Sequence, residues 1–416
     1  MAPPLFLPSG RRIEYDLPPI GEGDEAFIVP VTNEDSICLK IYREPEPDTE
    51  GRLLAMLQLP PRNWGGDRND HLHLTWPMER VLDEHGSTVG CVLARVPQGT
   101  NAQLAKLFNP PTRVDVLETP TWLEMLVIAR RIARVVDMLH QAGIVIGDLS
   151  ERNIMVSRSA LVTVIDCDSM KVVDPSTGRT YSATRTTLDC SAPEILESSR
   201  GQRAVSELSD RFSLAILLCQ VLMEGEHPFE GLPVIGDGDG SAIHNIRLQN
   251  NWITHPERFQ PYAQRLPVEV LPPGVLDLAR RCFNEGHRNP ELRPAAAEWH
   301  TVLSRAEGGV VGCQINPRHL HHQALTSCIW CSLRNAGLGE RYPATTPAPP
   351  RPTATPPRPM PRTPAGAGVP RPVPPPSRPD GKREPEVDWG RWSTWPAEVK
   401  LVVVVIVILI IIGFLR

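Results

Sequence analysis

Acidic and amide side chains are concentrated in two short segments in the middle of the chain. The segment "IGDLSERNIMV" carries Asp148 and Asn153, and "VTVIDCDSM" carries Asp166 and Asp168 at the end of an apolar strand pattern. A carboxylate is unfavourable at the end of a β run unless it meets a cation, and hard oxygen ligands are those that Mg²⁺ prefers. The two segments therefore predict a magnesium site. Each segment alone would also suit a turn, because Asp and Asn favour turns for local reasons.

Two features nearer the N-terminus suit the binding of phosphate groups. In "IGEGDEAFIV", Gly21 and Gly23 lie between two strand-like runs, and their missing side chains let backbone amides approach a phosphate. A plain hairpin turn is the alternative interpretation of these glycines. In "ICLKIY", Lys40 lies inside an apolar strand, where its ammonium group needs an anionic partner. The alternative is an edge strand that points Lys40 towards water.

These motifs and a later one, "CSAPEIL" with Glu194, occur in one order along the chain. The ordered set resembles the protein-kinase signature of a Gly-rich loop, a strand lysine, HRDxxxxN, DFG and APE. The resemblance covers about residues 12–305 and is strongest to bacterial eukaryotic-like (Hanks-type) kinases of a divergent subgroup. That subgroup has D-x-D in place of D-F-G and a C-terminal Cys/His module that is similar to a zinc ribbon. The resemblance implies an α+β, bilobal fold with a small β-rich N-lobe and a larger helical C-lobe.

The resemblance also implies a role for each residue of a catalytic set. Glu50 would be the helix glutamate that forms an ion pair with Lys40, and Asp148 would orient or deprotonate the attacking hydroxyl group. Asn153 and Asp166 would coordinate Mg²⁺ (or Mn²⁺) that bridges the phosphates of ATP. Further along the chain, an arginine in "ELRPAAAEW" (Arg293) would brace the glutamate of the APE motif.

The chain departs from the kinase signature at several places, two of them in the catalytic motifs. DFG is replaced by Asp166-Cys167-Asp168, and the His and Arg before the catalytic aspartate are Ile146 and Gly147. The polar residues that would touch nucleotide and metal are retained, which favours a kinase that transfers the γ-phosphate of ATP to Ser or Thr hydroxyls of proteins. The altered surroundings leave an alternative, an ATP-binding pseudokinase scaffold that recruits partners through the Cys/His module and a Pro-rich linker.

A second group of residues has the spacing of metal ligands. "CQINPRHLHHQALTSCIWC" contains a CxxC pair, Cys328 and Cys331, with Cys313 upstream. Tetrahedral Zn²⁺ prefers such a pair, and one histidine would complete a structural site. The histidine is His319 or His322, and the resemblance favours His319. A redox CxxC pair is the alternative, but no thioredoxin-like βαβ pattern surrounds it.

Hydrophobic periodicity divides the folded part into a strand-rich and a helical half. Alternating patterns predict strands at residues 27–31, 36–42 and 90–96, and apolar residues three and four apart predict helices near 122–139, 210–223, 274–283 and 295–306. We expect a kinase-like domain over residues 1–306 and a zinc module over residues 307–335. The whole chain has a net charge of −5, and its first 300 residues contain no basic block, which argues against nucleic acid as a partner. Nine cysteines without a pairing pattern indicate a reducing cytosol.

The last part of the chain predicts a tether and a membrane anchor. Residues 336–394 are rich in Pro, Arg, Thr and Ala and predict a disordered linker. Leu401–Leu415 is an uninterrupted apolar run, and with Trp395–Lys400 it reaches the roughly 30 Å of a bilayer core, so residues 395–416 are predicted to span a membrane. The alternative is a buried core helix. More basic residues precede the span than follow it, which predicts a cytoplasmic N-terminal domain.

Overall fold

The computed structural model describes residues 3–59, 71–97, 99–197, 205–236, 239–262 and 266–344. These residues fall within one unit, Met1–Ala348, and a second unit, Pro349–Arg416, lies wholly outside them. Among the helices of the described residues, none is both long and apolar enough to cross a membrane. The predicted span and most of the predicted linker lie outside the described part of the chain.

The N-terminal part is a twisted antiparallel sheet with one helix. The sheet has the order β2-β1-β6-β7-β5-β4-β3. Its strands are β1 (Leu5–Phe6), β2 (Arg12–Ile13), β3 (Gly21–Glu22), β4 (Ala26–Val31), β5 (Glu34–Tyr42), β6 (Glu79–Leu82) and β7 (Thr88–Ala94). Helix α1 (Thr49–Gln58) contacts the sheet and buries Leu53 and Met56, which are 1% and 0% exposed. The strands predicted from alternation are confirmed, apart from the end of the third, since β7 ends at Ala94.

The C-terminal part is mainly helical, and the four long helices predicted from periodicity are confirmed. The helices that follow α1 are α2 (Ala105–Phe108), α3 (Pro110–Val116), α4 (Trp122–Gln141), α5 (Pro193–Leu196), α6 (Glu207–Leu222), α7 (Ala242–Leu248), α8 (Pro273–Phe283), α9 (Glu285–Arg288), α10 (Ala296–Gly308) and α11 (Ile329–Asn335). Helix α4 begins with a capping box between Thr121 and Glu124, which satisfies free amides of its first turn. Helix α6 is buried along most of its length and contacts α4 and α8.

Short strands and 3₁₀ turns connect these helices. The strands are β8 (Asn101–Gln103), β9 (Ile154–Ser157), β10 (Val162–Val164), β11 (Val172–Val173), β12 (Thr180–Tyr181), β13 (Leu232–Pro233), β14 (Phe259–Gln260), β15 (Val310–Gly312) and β16 (Leu320–His322). The 3₁₀ turns are Glu151–Asn153, Cys167–Ser169, Leu188–Cys190, Val268–Val270 and Pro290–Leu292. Antiparallel pairing of β9 with β10 sets Ile154 opposite Val164. The segment before β9 and the segment after β10 therefore meet at one end of this small sheet.

Candidate active site

A cleft of about 530 Å³ lies between the β-rich and the helical part, within the size range of small-molecule sites. Gly21, in β3, and Gly23, in the turn between β3 and β4, line one side of the cleft. Both interpretations of these glycines thus describe one feature, a hairpin turn that faces a cleft. Apolar side chains of both parts also line the cleft: Ile20, Ile28, Cys38, Leu93, Met155 and Ile165. Such walls suit a flat apolar ring, with polar groups at one end.

Asp148 and Asn153 lie together on the lower side of the cleft. The Asn153 side-chain amide donates to the carboxylate of Asp148 and to its backbone carbonyl, each at 2.9 Å. The hydroxyl group of Thr187 donates to the other carboxylate oxygen at 2.5 Å. Both oxygens of Asp148 therefore have a donor that fixes their orientation. Within the described residues, the side-chain oxygen of Asn153 has no hydrogen-bond donor and is open to another ligand.

Asp210 holds the backbone just before Asp148. Its side chain is buried, and its two oxygens accept hydrogen bonds from the amides of Ile146 (2.7 Å) and Gly147 (2.9 Å). Gly147 has φ +77°, and a Cβ there would lie 2.6 Å from that of Ala183. The glycine that replaces the usual arginine is thus required by both backbone conformation and space.

Lys40, Asp166 and Asp168 form a charge cluster deeper in the cleft, in which Lys40 and Asp168 are buried and Asp166 is partly exposed. The Lys40 ammonium contacts Asp166 Oδ1 and lies 2.8 Å from Asp168 Oδ1. Asp166 has φ +65°, in the left-handed region, where Asp is one of the few side chains found with any frequency. This turn directs both carboxylates of the D-x-D segment towards one ammonium group, so the anionic partner predicted for Lys40 is present.

Burial and the neighbouring charges shift the pKa values of Lys40 and Asp166. Burial disfavours the charged form of Lys40, but Asp168 and Asp166 outweigh it and raise the pKa of Lys40 above its ordinary value. For Asp166, burial raises the pKa above its usual range, and Lys40 opposes that shift while Asp168 adds to it. A second cation beside these carboxylates would relieve their mutual repulsion, which suits a divalent metal ion bound by Asp166 and the nearby Asn153.

The predicted ion pair between Lys40 and Glu50 is wrong. Glu50 lies on the outward side of α1, and its carboxylate, 56% exposed, forms an ion pair with Arg80 of β6. The positions of α1 that face the interior are taken by apolar side chains such as Leu53, because the helix must bury them against the sheet. The kinase-like role therefore does not carry over to Glu50.

The predicted brace between Arg293 and Glu194 is confirmed. The guanidinium group donates to both carboxylate oxygens at 2.7 Å and is almost fully buried. It also donates to the carbonyls of Gly286 and Leu208, each at 2.8 Å. One side chain thereby fixes the start of α5 against α6 and α9.

The Cys/His segment brings four side chains to one point. The ligand atoms of Cys313, His319, Cys328 and Cys331 all lie within 4.8 Å of one another. The Sγ atoms of Cys313 and Cys331 are 3.6 Å apart, and His319 Nδ1 lies 3.4 Å from Cys331 Sγ. A tetrahedral site with bonds of about 2.0–2.3 Å has donor atoms roughly 3.3–3.8 Å apart. Of the two candidate histidines, only His319 joins this cluster, since His322 Nε2 lies 2.8 Å from the carbonyl of Glu269.

Sequence reasoning missed some residues that complete these sites. Glu340 lies 2.7 Å from His319 Nε2, so it fixes the ring with Nδ1 towards the thiols. Tyr42 donates to Asp168, and Thr187 to Asp148. Tyr42 had one available signal, because residues two apart on a strand share a face and Tyr42 follows Lys40 at that spacing. The partners of Thr187 and Glu340 depend on contacts between distant segments and left no pattern in the sequence.

Comparison with known proteins agrees with this geometry. Residues 101–301 match the family model described as "Protein kinase domain". The chain is 25% identical over 345 residues to "Protein kinase YegI" of Escherichia coli O157:H7, an alignment that covers 81% of this chain and 51% of that protein. It is 26% identical over 326 residues to "Protein kinase YegI" of Escherichia coli strain K12, with coverage of 77% and 48%. The chain thus spans about half the length of the curated relatives it matches. Residues 101–301 are therefore similar to a protein kinase domain, and the cleft with its polar residues agrees with that similarity.

Proposed function

We propose that the chain is an active, ATP-dependent protein kinase that phosphorylates Ser or Thr residues of proteins. One observation carries the proposal: Lys40, Asp148, Asn153 and Asp166 converge on a single cleft with an apolar wall. They come from distant parts of the sequence and from both parts of the domain. Phosphoryl transfer from ATP to a protein requires a lysine, metal ligands and a catalytic aspartate around the same phosphates.

Each of these side chains has a task in the proposed reaction. Lys40 neutralises charge on the nucleotide phosphates, and bound Mg²⁺, held by Asp166 and the free side-chain oxygen of Asn153, would supply further positive charge. Asp148 orients the substrate hydroxyl group and accepts its proton. The hydroxyl oxygen bonds to the γ-phosphorus as the bond to the β,γ-bridging oxygen breaks, and ADP leaves with the electron pair.

An aliphatic hydroxyl acceptor is supported by the surroundings of Asp148. The Thr187 side chain already brings an aliphatic hydroxyl group within 2.5 Å of this carboxylate. A serine or threonine of a substrate needs the same short reach, whereas tyrosine would hold its backbone several ångströms further from the cleft. Peptides that differ only in carrying Ser, Thr or Tyr at one position test this preference directly.

The proposed activity is tested with the full chain, purified in a mild detergent, Mg²⁺ and γ-labelled ATP. Asp148→Asn is expected to lower phosphotransfer by about 10²- to 10⁴-fold, the usual contribution of a general base, and to leave nucleotide binding intact. Asp277→Asn, an exposed change on α8, is the matched control and is expected to match the parent. Equal turnover of the parent and Asp148→Asn would contradict the assignment. Nucleotide binding without any transfer in the parent would favour the pseudokinase scaffold.

We also propose that Cys313, His319, Cys328 and Cys331 bind a structural zinc ion. The proposal is supported by the donor spacing and by Glu340, a carboxylate partner of the kind that often orients histidine ligands. The cluster is built onto the kinase domain. Trp330 of α11 is buried between Trp122 and Tyr342, with ring centroids 6.3 and 4.9 Å away. Zinc would therefore stabilise a part of the chain that packs against the start of α4.

Finally, we propose that residues 395–416 anchor the kinase domain to the cytoplasmic face of a membrane. The support comes from the sequence alone, through the apolar run, the tryptophans before it and the excess of basic residues on its N-terminal side. An extended Pro-rich linker rises about 3.1 Å per residue, so the domain would reach substrates on the order of 100 Å from the membrane surface.

A further inference from the structure

Helix α1 offers no carboxylate to Lys40. Its sequence, TEGRLLAMLQ, has a single acidic residue, Glu50, which pairs with Arg80. Leu53 and Arg52 instead line a small cavity beside Lys40, together with Asp168. The ammonium group that the proposed reaction needs must therefore be held by a residue outside this helix.

Asp168 occupies that place. Its side chain is only 4% exposed, and each of its two oxygens has a separate donor at 2.8 Å, the Lys40 ammonium and the Tyr42 hydroxyl group. Lys40 and Tyr42 are two residues apart on β5 and therefore share one face of the strand. A carboxylate buried this deeply is unfavourable unless it is paired, so the three side chains depend on one another.

The position of α1 is set by a different contact. The guanidinium group of Arg52 donates to the carbonyls of Met170 (3.2 Å) and Ser182 (2.6 Å), which lie in the segment that follows the D-x-D motif. The helix is thus attached to the backbone of the C-terminal part, and Lys40 is attached to Asp168. No ion pair within the described residues links the helix to Lys40.

We propose that Asp168 is the positioning residue that holds Lys40 for the nucleotide phosphates, with Tyr42 as a second support. This inference rests on the proposed nucleotide-binding function of the cleft. It gives the second carboxylate of the D-x-D segment the part that a helix glutamate has in other kinases. Asp166 can then bind metal, because Asp168 still neutralises Lys40 when Asp166 is engaged. The lysine and the metal ligand are aligned by one segment of three residues.

The test measures the affinity of the full chain for ADP with Mg²⁺ and for adenosine by calorimetry. Asp168→Asn removes the charge with little change of shape and is expected to weaken ADP binding about 10-fold, with adenosine affinity unchanged. Glu50→Gln is the matched control and is expected to bind both ligands like the parent. Combined with Lys40→Met, Asp168→Asn should cause no additional loss, because both changes remove the same interaction.

Two outcomes would overturn the inference. One is a loss of ADP affinity in Glu50→Gln but not in Asp168→Asn, and the other is an equal loss of ADP and adenosine affinity in Asp168→Asn. If Asp168→Asn fails to fold, Tyr42→Phe takes its place, with a smaller loss of ADP affinity expected and no loss contradicting the proposal. The affinities for ADP and adenosine can be measured without any phosphotransfer. Absence of phosphotransfer with the affinities as expected would overturn the proposed kinase activity and leave the role of Asp168 standing.

Discussion

Arg293 and Glu194 form a bidentate ion pair in which both N···O distances are 2.7 Å and the arginine side chain is completely buried. The pair joins residues that are 99 positions apart in the sequence. Removal of one partner of a buried pair leaves the other charge unpaired in a poorly solvated place. The pair should therefore contribute strongly to the stability of the helical part.

Arg293→Ala is expected to lower the free energy of unfolding by about 3–5 kcal/mol, as measured by urea denaturation followed by circular dichroism. Arg281→Ala is the matched control. Arg281 pairs with Glu298 at the surface, where both side chains are more than a third exposed, and an exposed pair contributes about 0–1 kcal/mol. Similar losses of unfolding free energy in the two variants would show that the buried pair stabilises the fold no more than the exposed pair does.

Thr187 is expected to orient Asp148 rather than to bind nucleotide. Thr187→Ala should lower kcat about 10-fold, since a hydrogen bond to a charged group contributes about 1.5 kcal/mol or more, and should leave KM for ATP unchanged. Thr187→Ser keeps the hydroxyl group and should retain most of the activity. Steady-state kinetics with one peptide substrate provides the comparison. A serine variant as slow as the alanine variant would mean that the methyl group matters, not the hydrogen bond.

The Cys/His cluster predicts one zinc ion per chain and a clear difference between two histidines. His319→Gln should lose the metal, because His319 lies within the cluster, and should unfold at a lower temperature. His322→Gln should keep the metal, because His322 contacts the backbone carbonyl of Glu269 instead. Elemental analysis of the purified chains measures the metal content. Full zinc content in the His319 variant would contradict the proposed ligand set.

The proposed anchor predicts the location of the chain in cells. The full chain should sediment with membranes and resist extraction with high salt or carbonate, because an apolar span is held by the hydrocarbon core and not by charge. A chain that ends at residue 394 should be found in the supernatant with the same kinase activity per molecule. Release of the full chain by carbonate would argue against a membrane span.

The sequence by itself determined the elements and the identity of most polar residues in the cleft. Period-two patterns gave β5 with Lys40, periodicity of three and four gave the long helices α4, α6, α8 and α10, and the ordered motifs indicated Asp148 and Asp166. These signals are local, because strand and helix faces repeat within a few residues and turn or metal-binding residues cluster along the chain. The same holds for the CxxC pair, whose spacing alone suggests a metal.

Only the tertiary structure decided which carboxylates meet Lys40 and which histidine meets the cysteines. Glu50 had the sequence spacing of a helix glutamate, but α1 buries Leu53 against the sheet and leaves Glu50 beside Arg80. Asp168, 128 positions away from Lys40, is instead its buried partner. In the same way, the path of the chain before α11, and not the spacing of the histidines, brought His319 to the cysteines. Pairing between distant segments depends on how helices and strands pack, and local sequence patterns carry no record of it.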